Sequence, residues 1–385
     1  MRDLNQVAAK LEATPGTAEA LVAGDVRMRI RDGDLPDFPF EAIETEEVQD
    51  FSSSRPMLIG TKEFRSDLSW LLRPSGTTPA SIQHATSRFF EAGMLNNKQI
   101  KTITIGSVTG GPFTRGETIT GGTSGATGEV YRDVSSTPMR YFLLTGTFAS
   151  AEVITGGTSG ATATTSSTGS ADGFAAVFND SEFAGSDKKH HMTYRFLRDG
   201  FYWEGRGCLG ELSMEFRVDR FCVVRQSVLG GFSAHGDVAL FTVDPYPDES
   251  VAAPRFVNAS LTMGGYSPTD VVDFNLTMPL GLELRQDAND ADGVLYADYD
   301  RRSSPPTITF DPAMVKKATK DFFLDYKDGT SFAMTWKLGT KFTFYADDCQ
   351  IVSAGVGTRR AVATIPFQIR LNGTVNDEIY IESTP

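Results

Sequence analysis

Along most of the chain, apolar and polar residues alternate in short runs that end in Gly, Asp, Asn or Pro, the pattern of half-buried antiparallel strands. In TKEFRSDLSWLL, Phe64, Leu68 and Trp70 stand among polar neighbours, and RPSGTTP ends the run. The period then changes. In TPASIQHATSRFFEAG, Thr78 offers an N-cap and Pro79 a first helical position, while Ile82, Ala85, Phe89 and Phe90 recur at helical spacing before Gly93. This predicts a short amphipathic helix.

The same order of signals returns downstream. Asp311 is a candidate cap, Pro312 opens a second helix, Val315, Ala318, Phe322 and Phe323 form its stripe, and Gly329 closes it. A hairpin follows each helix: MTYRFLRDGFYWEG turns at Asp199 and Gly200, and SFAMTWKLGTKFTFYA at Gly339 and Thr340. A strand pair follows each hairpin. The first puts Leu212, Met214, Phe216 and Val218 on one face, the second Ile365, Phe367, Ile369 and Leu371. The repeated order predicts an internal duplication, one copy near 18–96 plus 188–248 and the other near 252–385. Two unrelated β-rich stretches, each holding one helix, are the alternative.

Between the first helix and its hairpin lies a Gly-, Ser- and Thr-rich insertion with a repeat of its own. ITGGTSGAT occurs twice, inside FTRGETITGGTSGATGEV from Phe113 and FASAEVITGGTSGATATT from Phe148. Thr and Val favour strands and Gly-Gly and Ser-Gly favour turns, so each unit predicts a small hairpin paired with its twin. The expected place for such an insertion is an excursion on the outer surface, where extra chain costs little.

Composition narrows the function. At 385 residues the chain exceeds one ordinary domain, and 40% hydrophobic with 22% charged residues is enough to build packed cores. No apolar run reaches the roughly 18 residues of a membrane span, and the N-terminus MRDLNQVAAKLEATPGT lacks an apolar leader core, so the expectation is a cytoplasmic site of synthesis. Cys208, Cys222 and Cys349 are too scattered for a disulfide framework or thiolate metal site and read as buried small apolar residues. The net charge of -13 argues against a grip on nucleic acid, which needs Lys and Arg on phosphate.

Candidate chemistry is thin. Gly122 to Ala126, repeated at Gly157 to Ala161, approximates a nucleophile elbow but lacks its final Gly and its strand-to-helix setting, so it reads as a turn. His190 and His191 are adjacent, which on a strand sends them to opposite faces, and they read as solvated loop residues. DANDADG, Asp287 to Gly293, approximates a calcium loop, yet Ala291 stands where an acid is needed and no Glu completes it, leaving an acidic turn. The sequons at Asn258, Asn275 and Asn372 carry little meaning without export, and Arg301-Arg302 and Arg359-Arg360 are isolated basic pairs. No catalytic, cofactor-binding or metal-ligating residue is nominated, and an enzyme is not expected.

Several blocks in succession, KLEATPGTAEALVAGDVRMRI, LSWLLRPSGTTPASIQHATSRFFEAGM, MTYRFLRDGFYWEGRGCLGELSMEFRVDRF and IPFQIRLNGTVNDEIYIES, resemble the tail tube proteins of bacteriophages with long non-contractile tails, a resemblance that covers about 80% of the chain. The repeated ITGGTSGAT resembles add-on β modules of phage virion proteins. The resemblance implies a mainly β chain: an N-terminal arm (1–17), a tail-tube β-sandwich or barrel domain with one flanking helix (18–101 plus 171–248), the inserted β module (102–170), and a second such domain (249–385). Six such domains usually complete a ring, which implies a trimer with pseudo-sixfold symmetry, a hexamer being the alternative. Rings would stack into a tube in the virion, through the N-terminal arm and 41–60 or with those segments as ordinary surface loops. The implied partners are further copies, a tape measure protein, and terminator and distal tail proteins, with neither cofactor nor membrane. DNA would pass through without specific binding, and Glu211, Ser213 and Glu215, opposite the apolar face of their strand, are candidate lumen residues or plain solvent-facing positions. A carbohydrate-binding or adhesive β-protein is the second reading, and a phage-associated hydrolase the third.

Overall fold

A computed structural model describes residues 5–22, 26–28, 30, 36–37, 40–43, 58–74, 84–178, 190–198, 200–238, 251–300, 305–373 and 378–383. The fold is mainly β, with two short helices among the described residues. The first stretch contributes β1 (Asn5–Leu11), β2 (Val26–Met28), β3 (Pro36–Asp37), β4 (Phe40–Ile43), β5 (Leu58–Leu71) and α1 (His84–Ala92). The insertion runs through β6 (Leu95–Ile103), β7 (Thr118–Gly121), β8 (Thr127–Val130), β9 (Met139–Thr145), β10 (Val153–Gly156), β11 (Thr162–Thr164) and β12 (Ser170–Phe178). Then come β13 (Met192–Arg198), β14 (Phe201–Arg217) and β15 (Val223–Asp237). The second stretch holds β16 (Thr262–Met263), β17 (Asp273–Met278), β18 (Leu282–Gln286), β19 (Val294–Tyr299), β20 (Thr307–Phe310), α2 (Phe322–Asp328), β21 (Phe332–Leu338), β22 (Phe342–Ala354), β23 (Gly357–Arg359), β24 (Val362–Thr364), β25 (Phe367–Leu371) and β26 (Tyr380–Ser383).

Strand pairing reveals two ladders of the same order. In the first stretch β1 pairs with β13, β13 with β14, β14 with β15, β15 with β5, and β5 with β3, all antiparallel. In the second, β16 pairs with β21, β21 with β22, β22 with β25, β25 with β20, and β20 with β17, again all antiparallel. The helix falls between corresponding strands in both. Alternation explains why each ladder forms: Phe64, Leu68 and Trp70 on β5, and Phe367, Ile369 and Leu371 on β25, are buried, while the residues between them, such as Arg65, Asp67, Ser69, Gln368 and Arg370, are polar.

The ladders are joined edge to edge. β17 pairs with β14 from Leu212↔Met278 to Arg217↔Asp273, so the two sheets run into one another. Phe216 of β14 marks the seam, lying 5.6 Å from Phe274, 5.2 Å from Phe344 and 6.4 Å from Trp336, all from the second ladder. Aromatic pairs of this kind add about 0.5–1.5 kcal/mol each beyond the burial of their area.

The insertion has a hydrophobic core of its own, and its stem is built into the second ladder. β12 pairs with β6 on one side and with β26 on the other, and β26 pairs with β22, so the stem of the insertion completes the second ladder's sheet. Arg115 and Arg132 both pair with Asp347 of β22, and Arg140 and Tyr131 both hydrogen-bond Glu382 of β26. A Gly/Thr-rich sequence conceals this anchorage because the anchoring cations are scattered along it.

Local differences from the sequence pattern have identifiable causes. α1 buries Phe89 and Phe90 completely and ends at Gly93, whereas Thr78, Pro79 and Ile82 lie outside the described residues, as does Asp199 of the first hairpin turn. α2 begins at Phe322, nearly three turns later than Asp311 and Pro312 suggest, which leaves Val315 and Ala318 outside it. Its N-cap is Asp321, which accepts from Leu324 N at 3.0 Å, and Gly329 ends it in the left-handed region at φ 61. Asp311 instead pairs with Arg359, and the Pro312 carbonyl accepts from Ile365 N, so the Asp-Pro signal serves an extended connection. Phe323, expected in the stripe, is exposed, and so is Val218 beyond the end of β14.

The β18–β19 hairpin of the second stretch packs across β14 and β15 of the first. Gly207 permits this. It sits at φ 58, and a Cβ there would stand 2.5 Å from the Cβ and 2.7 Å from the Cα of Tyr296. Gly207→Ala is therefore expected to cost on the order of 2–3 kcal/mol in chemical denaturation, with hydrogen exchange rising first over 294–299. An unchanged midpoint and unchanged exchange in that strand would refute the role given to this contact.

Candidate functional site

The most extensive organised surface is the outer face of the joined sheet. Its strands run β5, β15, β14, β17, β20, β25, β22, and register carries two adjacent rows across all seven. One row, Trp70, Val224, Met214, Leu276, Ile308, Ile369 and Ile351, faces the core. The next residue on each strand points the other way. That row reads Ser69, Arg225, Ser213, Thr277, Thr307, Arg370 and Gln350, polar throughout.

Glu211, Ser213 and Glu215 lie together on this polar face, all half-buried, and their parity along β14 was visible in sequence. Glu211 accepts from Leu280 N at 2.9 Å and Gly281 N at 2.8 Å, which fixes the turn after β17. Glu215 sits 3.4 Å from Arg225, and Arg217 pairs with Asp273 at 3.2 Å across the seam. Ser227 donates to Asp67 at 2.6 Å. The face thus mixes both signs: Arg217 and Arg225 stand beside carboxylates whereas Arg370 is exposed without one among the described residues, and exposed pairs of this kind contribute little to stability. Thr277, Thr307, Gln350 and Arg370 escaped sequence reading, because only the register between strands distant in sequence brings them beside Ser213. A cleft of about 430 Å³ opens on this face where Leu282 approaches Asp67, Glu211 and Ser227.

The other candidates resolve into structural roles. Ser124 and Ser159 of the elbow-like turns each donate to a carboxylate from the opposite repeat, Ser124 Oγ to Glu152 at 2.9 Å and Ser159 Oγ to Glu117 at 2.8 Å. The same carboxylates accept from the backbone N–H groups of Thr123 and Ser124, and of Thr158 and Ser159, at 2.9–3.1 Å. β7 pairs with β10, so the repeats sit about a local twofold axis and exchange their Glu side chains. Burial pushes both carboxyls up, but the hydrogen bonds from the facing Ser outweigh it and hold them below the ordinary carboxylate range.

His190 and His191 are buried, contrary to the solvated placement expected of them, because the chain entering β13 is covered on both faces. His191 Nε2 lies 2.7 Å from the Ala297 carbonyl, and its ring meets Tyr296 edge-on. Burial, with His191 adding to it, pushes His190 down to about 4. In DANDADG, Asp290 receives two hydrogen bonds from Arg206, which hold its carboxyl below the usual range, and Asp292 pairs with Lys62 at 2.5 Å. Two of the three carboxylates of the turn are therefore met by protein cations, and Asp287 accepts from Asn289 N and Nδ2. Cys208, Cys222 and Cys349 are free and buried, and burial pushes all three thiols up, leaving them unreactive. Arg359 pairs with Asp270 and Asp311, while Arg301 and Arg302 lie outside the described residues.

Among the described residues no group of His, Cys, Asp and Glu is placed to hold a metal ion, and no helix is long and apolar enough to cross a membrane. The chain matches no protein-family profile and no curated protein.

The exchanged carboxylates give the module a pH signature. Their folded pKa lies below the ordinary 4.5, so their contribution is complete above about that pH and is lost as pH falls through the folded value. Replacing both, Glu117→Gln with Glu152→Gln, is expected to destabilise the module by about 2 kcal/mol per site at pH 7, and by much less near pH 3. Thermal melts at the two pH values check this, and an equal loss at both would contradict it.

Proposed function

We propose that this chain is a structural subunit of a tube, the tail tube of a bacteriophage with a long non-contractile tail, and that it works by assembly and not by catalysis. The observation that carries the reading is the pair of matched ladders joined edge to edge through β14 and β17. A unit that continues its neighbour's sheet within one chain is built for continuation between chains, because an unpaired strand border is a template for strand addition. Head-to-tail contacts of this kind close into rings when the rotation allows. With two units per chain, the reading takes three molecules to a ring of six, and rings stacked into a tube in the virion. Tape measure, terminator and distal tail proteins are the companions that the resemblance implies.

The polar face supports a channel lining. DNA must slide past without being held, and binding grows with the number of cations that displace counterions from phosphate. On this face Arg217 and Arg225 stand beside carboxylates, and the chain as a whole carries -13. In this reading Glu211, Ser213 and Glu215 face the lumen.

Negative-stain microscopy of the purified full chain, with native mass measurement, tests the proposal. Rings or tubes, and a smallest closed species of three times 41.8 kDa, are expected. Protein that stays monomeric at high concentration would overturn it, and a closed species of six chains would overturn the stoichiometry.

A further inference from the structure

The two strands at the internal seam have counterparts that no described strand covers, at the two ends of the joined sheet. β14 and β22 hold the same place in their ladders, each following a two-stranded hairpin and each returning through the strand that pairs beside it. The edge of β14 from Leu212 to Arg217 is covered by β17. β22 is flanked by β21 and β26 over its first half, but among the described residues only β25 pairs with it from Gln350 to Ala354. The open border is also apolar for a solvent-facing position: Val352 is 42% exposed, and Val356 just beyond it is 73% exposed. Beside it, α2 shows Phe323, Leu324 and Tyr326 to solvent, and Gln350 Nε2 donates to the Gly329 carbonyl that ends this helix.

β3 stands at the other border. It lies on β5 through Pro36↔Ser66 and Asp37↔Arg65, as β17 lies on β20, and no described strand covers its far side. From this correspondence we infer that the open edge of β22, Gln350–Ala354, receives β3 of a second copy of this chain, antiparallel, reproducing between molecules the contact that β14 and β17 make within one. The inference rests on the tube reading and names its interface. The β3 carbonyls and the Asp37 N–H supply main-chain hydrogen bonds, Pro36 having no N–H to give, and the exposed valines supply apolar area that the added strand covers.

Disulfide trapping in the full-length chain tests it. Asp37→Cys is combined in turn with Gln350→Cys, Val352→Cys and Ser353→Cys, and each protein is oxidised after microscopy has shown tubes. One of the three pairs is expected to give covalent multimers up to a closed trimer on non-reducing gels, while each single variant gives none beyond dimers. Tubes in which no pair cross-links would overturn the edge assignment and leave the tube reading standing, whereas failure to assemble under any condition would remove both. Val352→Lys gives an independent readout. An exposed position should leave the denaturation midpoint of the monomer unchanged, yet the yield of tubes should fall at least about tenfold, equivalent to roughly 1.4 kcal/mol of contact. Normal tube yield from a folded Val352→Lys protein would count against the proposal.

Discussion

The structure turns on the need of every strand border to find hydrogen-bonding partners for its N–H and C=O groups. A backbone group buried without one costs about 1–3 kcal/mol, so borders are paired, covered or left in water. This chain pairs them by reciprocal lending. The second ladder gives β17 to the first at β14, and the insertion within the first gives β12 to the second at β26. Neither sheet is whole without strands contributed by the other half, and the shared aromatic cluster at Phe216, Phe274, Trp336 and Phe344 buries the seam.

Charge distinguishes the two halves where their geometry coincides. Arg206 and Asp347 occupy the same offset from the first residue of their long hairpin strands, Phe201 and Phe342. Arg206 reaches Asp290 and the Gly16 carbonyl, fastening the β18–β19 hairpin over the first half. Asp347 has the opposite sign and is met by Arg115 and Arg132 of the insertion. Each half is thus fastened to a different structure through a side chain of opposite sign.

Much of the fold was legible from alternation and turn residues. The hairpins at Gly200 and at Gly339 and Thr340, the core faces of β14 and β25, and the paired hairpins of the insertion follow from local pattern, which the chain obeys. The second helix was legible only at its end. Asp311-Pro312 looks like a helix start, but whether an Asp caps a helix or salts an arginine depends on Arg359, nearly fifty residues away. The anchorage of the insertion was hidden for the same reason, since Asp347 and Glu382 lie more than two hundred residues from the groups that hold them. One unused signal lay in plain view: FYWEGRGC and FTFYADDC place a buried Cys seven residues after Phe201 and Phe342 alike. Of the polar face, the parity of Glu211, Ser213 and Glu215 could be read directly. Their neighbours on β17, β20 and β25 could not, because register between distant strands is a tertiary property. The segment 41–60 and the N-terminal arm, candidates for stacking, fall largely or partly outside the described residues.

The pairing of β12 with β26 also sets a timetable for synthesis. Phe174 meets Ser383, and Val177 meets Tyr380, so the stem of the insertion waits on the ribosome for a strand translated some two hundred residues later. At elongation rates of about 5–20 residues per second, that interval lasts on the order of ten seconds or more. Contacts of such long sequence separation also form slowly once the chain is complete. A nascent molecule therefore cannot complete this sheet until translation has passed β26, a delay written into the connectivity itself.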